Sequence, residues 1–175
     1  VSIAMDFNTA DKFVVHYRNM NDNSYGYAIV GTISGTSLSF GTAVKYSGSS
    51  SVGVHLPAIA YDRKTANKVL IVYQDDGNSN YGTAIVGTVS GTDISFGTAV
   101  VFDSAESSTI SNCLTGDPFN ANKFFNVYRD DNGYPRMVCC TVSGTTVSFG
   151  TINAFESYAM TPGSIDADTN TENKF

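Results

Sequence analysis

The sequence predicts an all-β protein made of three similar four-stranded antiparallel units stacked face to face. Three observations predict it. The first is an internal repeat, the feature to look for before any other. Lys68–Phe102 reads KVLIVY, then QDDGNSNYG, then TAIVGTVSGTDISFGTAVVF, and it is restated by Lys12–Tyr46 before it and by Lys123–Phe155 after it. The second is that strand-like segments are apolar on both faces. Val69, Ile71 and Tyr73 share one face and Leu70 and Val72 the other, the pattern of a sheet covered on both sides. The third is that no stretch sustains a 3.6-residue period, while β-branched and aromatic residues dominate.

The elements follow in order within each unit. A strand-turn segment opens it and occurs four times: Ser2–Phe13, Ala58–Val69, Cys113–Phe124 and Ser164–Phe175. Asp6, Asp62, Asp117 and Asp168 coincide in these copies, as do Lys12, Lys68, Lys123 and Lys174. The repeats therefore span 1–57, 58–112 and 113–163 of a single domain, with an extra first strand at 164–175. The first strand is short, Ile59–Tyr61 in the second repeat, and ends at the recurring Asp. A carboxylate there caps the backbone amides of a turn. The second strand is Val69–Tyr73, matched by Phe13–Tyr17 and Phe124–Tyr128. The third is Thr83–Val89, matched by Tyr27–Ile33 and Arg136–Val142. Ser-Gly-Thr follows each time, and its Gly can take the positive φ of a tight hairpin. The fourth strand, Ile94–Phe102, carries Ser-Phe-Gly-Thr in every copy. Glycine weakens a strand, so its recurrence predicts a bulge or the close approach of another backbone.

Composition narrows the function. A chain of 175 residues suits one domain that buries about two-thirds of its surface. With ten Lys and Arg against 16 Asp and Glu, the net charge is −6. No basic patch is expected, which argues against nucleic acid as a partner. No run of 18 apolar residues occurs, so no membrane span is expected. The chain begins at Val1 inside a repeat, the sign of a processed chain or a fragment. Cys113, Cys139 and Cys140 occur only in the third repeat, opposite Ser2 and Ala58, Val30 and Val86, and Gly31 and Gly87. They read as small packing residues, and adjacent Cys139 and Cys140 point to opposite faces. His16 aligns with Val72 and Val127 and also reads as a packing residue.

A four-stranded antiparallel unit of about 50 residues, repeated and stacked, fits the description of a β-propeller blade. The phrases GNSNYGTAIVGTVSGTDISFGTAVVF and NKVLIVYQDDG resemble the tandem repeats of large, mostly uncharacterised phage and marine-microbial proteins. The resemblance covers essentially the whole chain and implies a virion or cell-surface setting. Its motifs are structural and bring no catalytic residues with them. In layout the chain is also similar to propeller lectins and phage receptor-binding proteins. Propellers have about 4–8 blades, and three leave two apolar faces in water, which calls for a partner. The expectation is a homo-oligomer, a dimer closing a six-bladed ring by one repeated head-to-tail contact.

The loops joining second and third strands, Asn19–Tyr25, Asp75–Tyr81 and Asp130–Tyr134, are rich in Asp and Asn. A ligand face there would use Arg18, Tyr25, Asp75, Asp76, Asn78, Tyr81, Arg129, Asp130, Asp131 and Tyr134. Carboxylates and amides would hydrogen-bond sugar hydroxyls, and the tyrosines would offer flat amphipathic surface. Hairpin chemistry by itself accounts for the same composition. The loop oxygens keep no fixed spacing from copy to copy, so no metal is expected, and DADTN (Asp166–Asn170) lacks the Gly and distant Glu of a calcium loop. No Ser-His-Asp set or phosphate loop can be assembled, so no cofactor and no enzyme are expected. The functional expectation is a non-enzymatic binding or adhesion module for glycan. The alternatives are a self-assembling structural repeat of a larger protein and a glycan-cleaving enzyme that would need paired loop aspartates.

Overall fold

A computed structural model of the chain describes residues 1–47, 54–104, 112–159 and 163–171. Among these residues every regular element is a strand and none is a helix. Three antiparallel sheets follow one another along the chain. The first holds β1 (Ser2–Met5), β2 (Lys12–Asn19), β3 (Tyr25–Ser34), β4 (Ser37–Phe40) and β5 (Val44–Lys45). The second holds β6 (Val54–Tyr61), β7 (Lys68–Asp75), β8 (Tyr81–Ser90), β9 (Asp93–Phe96) and β10 (Val100–Asp103). The third holds β11 (Asn112–Gly116), β12 (Lys123–Arg129), β13 (Pro135–Ser143), β14 (Thr146–Phe149) and β15 (Asn153–Ala154). The last two segments of each sheet both pair with its third strand, so each sheet is four strands wide with a broken outer strand.

The turns explain the common register. Gly35, Gly91 and Gly144 sit at φ 60°, 63° and 61° in the Ser-Gly-Thr hairpins, a conformation that costs glycine little. The turn after each first strand is closed by the recurring carboxylate. Oδ1 of Asp6, Asp62 and Asp117 accepts the amide two residues on, at 2.8 Å in each case. The residue before each lysine (Asp11, Asn67, Asn122) is left-handed, which short polar side chains tolerate. Its carbonyl accepts the amide of Ile33, Val89 or Val142 from the third strand.

The stacking is head to tail. Val69, Ile71, Tyr73, Ile85 and Ile94 of the second sheet pack on Val14, Ala28, Val30 and Tyr46 of the first. Its opposite face, with Leu70, Val72, Val86 and Phe102, packs on Phe124, Tyr128, Val138 and Val147 of the third. Both faces of the middle sheet are therefore buried, as the doubly apolar second strand requires. The end sheets are covered on one side only. Ile3, Leu38 and Phe40 on the first and Phe155 beside the third stay more than half exposed.

The predicted glycine contact is present. A Cβ on Gly41 would stand 1.9 Å from the carbonyl oxygen of Thr92, and one on Gly97 would stand 1.9 Å from that of Thr145. The hairpin of each following sheet thus lies directly on the outer strand of the sheet before it. That is where the outer strand breaks. Lys12 Nζ and Lys68 Nζ reach across the same boundary to the carbonyls of Gly91 and Gly144, both at 2.8 Å. Asp62 Oδ2 accepts the amide of Asn122 across the second boundary.

Several expectations need correction. The first strand of the second sheet runs back to Val54, well beyond Ile59–Tyr61, and its ladder shifts between His55 and Ala58. Pro57 lies in that shift and has no N–H to give to a ladder. The outer strand is two segments, not one continuous strand from Ile94 to Phe102. Residues 163–171 form no strand: among the described residues no backbone ladder pairs with them. The rest of that predicted strand, 172–175 with Lys174, lies outside the described residues. The turn is nevertheless made, with Asn170 N donating to Asp168 Oδ1 at 2.8 Å.

Other readings hold. His16 is fully buried, with Nε2 2.7 Å from Ser2 Oγ, and burial holds its imidazole down at about 4. All three cysteines are free. Cys140 lies in the core between the second and third sheets, and Cys139, on the other face, is half-buried.

Candidate functional site

The ends of the second strands and the loops that follow them gather the predicted site residues into two groups. The first group spans the boundary between the first and second sheets. Arg18, near the end of β2, brings Nη1 to 2.9 Å from His55 Nε2. The same nitrogen lies 3.0 Å from Asp76 Oδ2. His55 Nε2 can offer Arg18 a lone pair or Asp76 a proton, but not both at once. Gln74 Nε2 adds bonds to Asp76 Oδ1 at 3.4 Å and to Asn80 Oδ1 at 3.2 Å. Burial raises the Asp76 carboxyl above its ordinary range, against the opposing pull of His55 and Arg18. Arg18 and Asp76 are among the site residues expected from the sequence, whereas His55 and Gln74 are not. His55 has no counterpart in the other repeats, and that singularity was the one available signal.

The second group lies at the third sheet. Asp130 is buried, and its Oδ1 accepts the amides of Asn132 and Tyr134 at 3.0 and 2.8 Å. Its Oδ2 holds the Arg136 guanidinium by Nε and Nη2, both at 2.7 Å. Such a bidentate pair fixes the hairpin. Asp131 is exposed and accepts Asn132 Nδ2 at 3.0 Å. Arg129 is half-buried at the end of β12, and Tyr134 takes part in the turn by its backbone.

The remaining predicted residues are placed as follows. Tyr25 opens β3 with Lys45 Nζ 4.0 Å above its ring, so the ring face is covered. Asp75 Oδ1 accepts Gly77 N at 3.1 Å, and burial raises its carboxyl. Asn78 is exposed at the loop tip and Tyr81 is half-buried at the start of β8. Most of the loop carboxylates thus have a partner within the chain. Asp75 and Asp130 serve their own turns, and Asp76 and Asp130 serve neighbouring cations. Tyr25 and Tyr81 open β3 and β8, Tyr134 directly precedes β13, and the three stand at three different sheets rather than on one platform.

Two hollows lie elsewhere. One, of about 230 Å³, is bounded by the first strands of all three sheets through Ile3, Ile59 and Leu114. Ile165 and Asp166 complete its wall, and Asp166 Oδ1 receives Arg63 Nη2 at 2.8 Å. Ile165 is the fourth member of the repeat series Ile3, Ile59, Leu114, so residues 164–168 stand where the first strand of a fourth sheet would. The other hollow, about 440 Å³, lies on the uncovered face of the third sheet between Val127, Met137, Phe155 and Ile165. Among the described residues no group of three or more His, Cys, Asp or Glu is arranged to hold a metal ion.

Comparison of the chain with family models, with curated proteins and with solved structures finds no match.

Proposed function

We propose that the chain is a non-enzymatic scaffold module of β-propeller type, whose three sheets are blades and whose two outer faces are made to join further blades. One observation carries this reading. Beside the aspartates and glycines that shape turns within each sheet, the residues that recur from repeat to repeat are those that cross the boundaries between sheets, namely the outer-strand glycine, the lysine and the apolar second strand. A repeat selected for ligand contacts would instead keep its loops constant, and here the loops are what vary. The resemblance to phage-type tandem repeats agrees with such a role, in a virion or at a cell surface.

A second reading, adhesion to glycan through the second-to-third-strand loops, is supported by the exposed Asn78 and Asp131 and the half-buried Tyr81. It is the weaker of the two, because most of the neighbouring carboxylates already have partners inside the chain. Screening the intact protein on a broad glycan panel, alongside sedimentation over a wide concentration range, separates them. The scaffold reading expects self-association without glycan capture. Saturable capture that Asn78→Ala or Tyr81→Ala abolishes, from a protein that stays monomeric, would replace it with adhesion.

A further inference from the structure

We propose that the uncovered face of the third sheet is a socket for the first sheet of a second copy of this chain. The inference rests on the scaffold reading above and names the contact that the reading leaves open. Two boundaries inside the chain serve as its templates, and both use the same three devices.

The first device is the glycine seat. Gly41 and Gly97 leave room for the carbonyl of Thr92 and Thr145 in the next hairpin. Gly150 occupies the same place in the third sheet, yet a Cβ there would meet nothing closer than the Cys139 carbonyl oxygen at 3.7 Å. Its φ is not in the left-handed region either. Within the chain, neither space nor backbone requires glycine at that position. A hairpin arriving from outside would require it, and of the three Ser-Gly-Thr hairpins the one ending at Thr36 has no glycine beneath it among the described residues.

The second device is the lysine. Lys12 and Lys68 each donate to the hairpin glycine carbonyl of the next sheet. Lys123 stands at the equivalent place; its backbone carbonyl accepts Asp117 N and its charge draws the Asp117 carboxyl down, but its Nζ makes no hydrogen bond or ion pair among the described residues. Gly35 O of a second copy is its match.

The third device is an aromatic trio. Tyr46 packs on Tyr73 and Phe96 at centroid distances of 5.6 and 5.5 Å. Phe102 packs on Tyr128 and Phe149 at 5.1 and 5.7 Å. By repeat position the third trio is Phe155 with Tyr17 and Phe40. Its members lie at opposite ends of the stack, with Phe155 51% and Phe40 53% exposed, whereas Phe102 is 8% exposed. One end of the chain carries half of an interface and the other end carries the complementary half. Such a heterologous contact closes when the rotation returns to its start, and two copies give six blades, inside the usual range.

Residues 163–168 stand in the way of the incoming β1. They are held by the Arg63–Asp166 pair and by Cys113 Sγ against Gly163 O at 3.5 Å, without a strand ladder. Incoming β1 brings a four-residue ladder to β2. The segment that yields is therefore 163–168, and it acts as a removable cover over the inner edge of the socket.

The test is sedimentation and light scattering of the full chain and of point variants. Wild type is expected to reach twice the chain mass and stop there. Gly150→Ala has room in the isolated chain, where its Cβ would meet nothing closer than 3.7 Å, but fills the glycine seat, and Phe40→Asp spoils the complementary end. Each should weaken self-association about tenfold or more. Circular dichroism and the unfolding midpoint confirm that each variant is folded. Mixed together, the two variants keep one intact socket and one intact plug, and they should form a one-to-one pair. Asp166→Asn, which loosens the cover, should tighten wild-type association severalfold. If wild type associates while both variants associate equally well and their mixture forms no distinct pair, the socket is refuted and the scaffold reading stands. If wild type stays monomeric to millimolar concentration, both fall.

Discussion

Adding one methyl group to three glycines in turn measures how the sheets hold one another. Gly41, Gly97 and Gly150 occupy the same repeat position with ordinary negative or extended φ, so alanine is permitted by the backbone at all three. In an isolated chain only the surroundings differ. At Gly41 and Gly97 the new Cβ would lie 1.9 Å from a main-chain carbonyl oxygen, so a whole hairpin must retreat by about 1 Å. The retreat would also stretch the Lys12–Gly91 and Lys68–Gly144 bonds, each 2.8 Å long. Overpacking of this kind costs roughly 1–3 kcal/mol, and a displaced hydrogen bond adds about 1 kcal/mol. The gain from a stiffer unfolded chain returns only about 0.4–1 kcal/mol. Gly41→Ala and Gly97→Ala should therefore each lose about 2 kcal/mol. Gly150→Ala meets only ordinary contacts and keeps the entropic gain, so it should be neutral or gain about 0.5 kcal/mol. Urea unfolding at protein concentrations low enough that sedimentation gives the mass of a single chain, followed by tyrosine fluorescence and far-ultraviolet circular dichroism, reads all three. Equal losses at the three positions would refute the reasoning, since they would mean that glycine serves the strand and not the boundary. So would an unperturbed Gly97→Ala.

Other outcomes follow from single side chains. His16 is held near 4 in the fold and titrates near 6.5 when unfolded, so its neutral form stabilises the protein above pH 6.5 and that contribution is lost as pH falls toward 4. His16→Val, which matches the residue at the other repeats, should flatten the stability profile in that window by on the order of 3 kcal/mol, as read from denaturation at stepped pH; an unchanged slope would exclude His16 as the source. Asp62→Ala strands the amides of Lys64, Thr65 and Asn122 and should cost roughly 2–3 kcal/mol, whereas Asp168→Ala, at an exposed turn, should cost much less in the same urea assay. Asp130→Asn breaks the paired bonds from Arg136 and should cost about 1–3 kcal/mol. Burial pushes the Cys140 thiol up to about 12, so native-state alkylation at pH 8 should modify it last, well after half-buried Cys113; equal labelling by mass spectrometry would contradict the packing described for the second boundary.

The repeat made most of the fold legible. Strand order, the hairpin glycines, the capping aspartates and the doubly buried second strand all depend on residues near one another in sequence, and repetition sharpened each signal. His16 was readable as a packing residue because its repeat partners are valines. The site was less legible. The Arg18–His55–Asp76 cluster joins residues from two sheets, and no spacing along the chain announces it. The loops looked available for ligands because Asp and Asn are equally suited to sugars and to turns, and sequence alone does not say which partner a carboxylate takes.

By itself, then, the sequence determined that there are three units, how each is threaded, and that a sheet apolar on both faces must be covered twice. Only the tertiary structure decided what each recurring residue is for. The glycine and the lysine act between sheets, and Asp62 does so as well as capping its own turn; contacts between sheets depend on distances that repetition implies but does not specify. Tertiary structure also decided that 163–171 forms a turn without a strand. A strand exists only as a ladder between two backbones, and among the described residues none pairs with this segment.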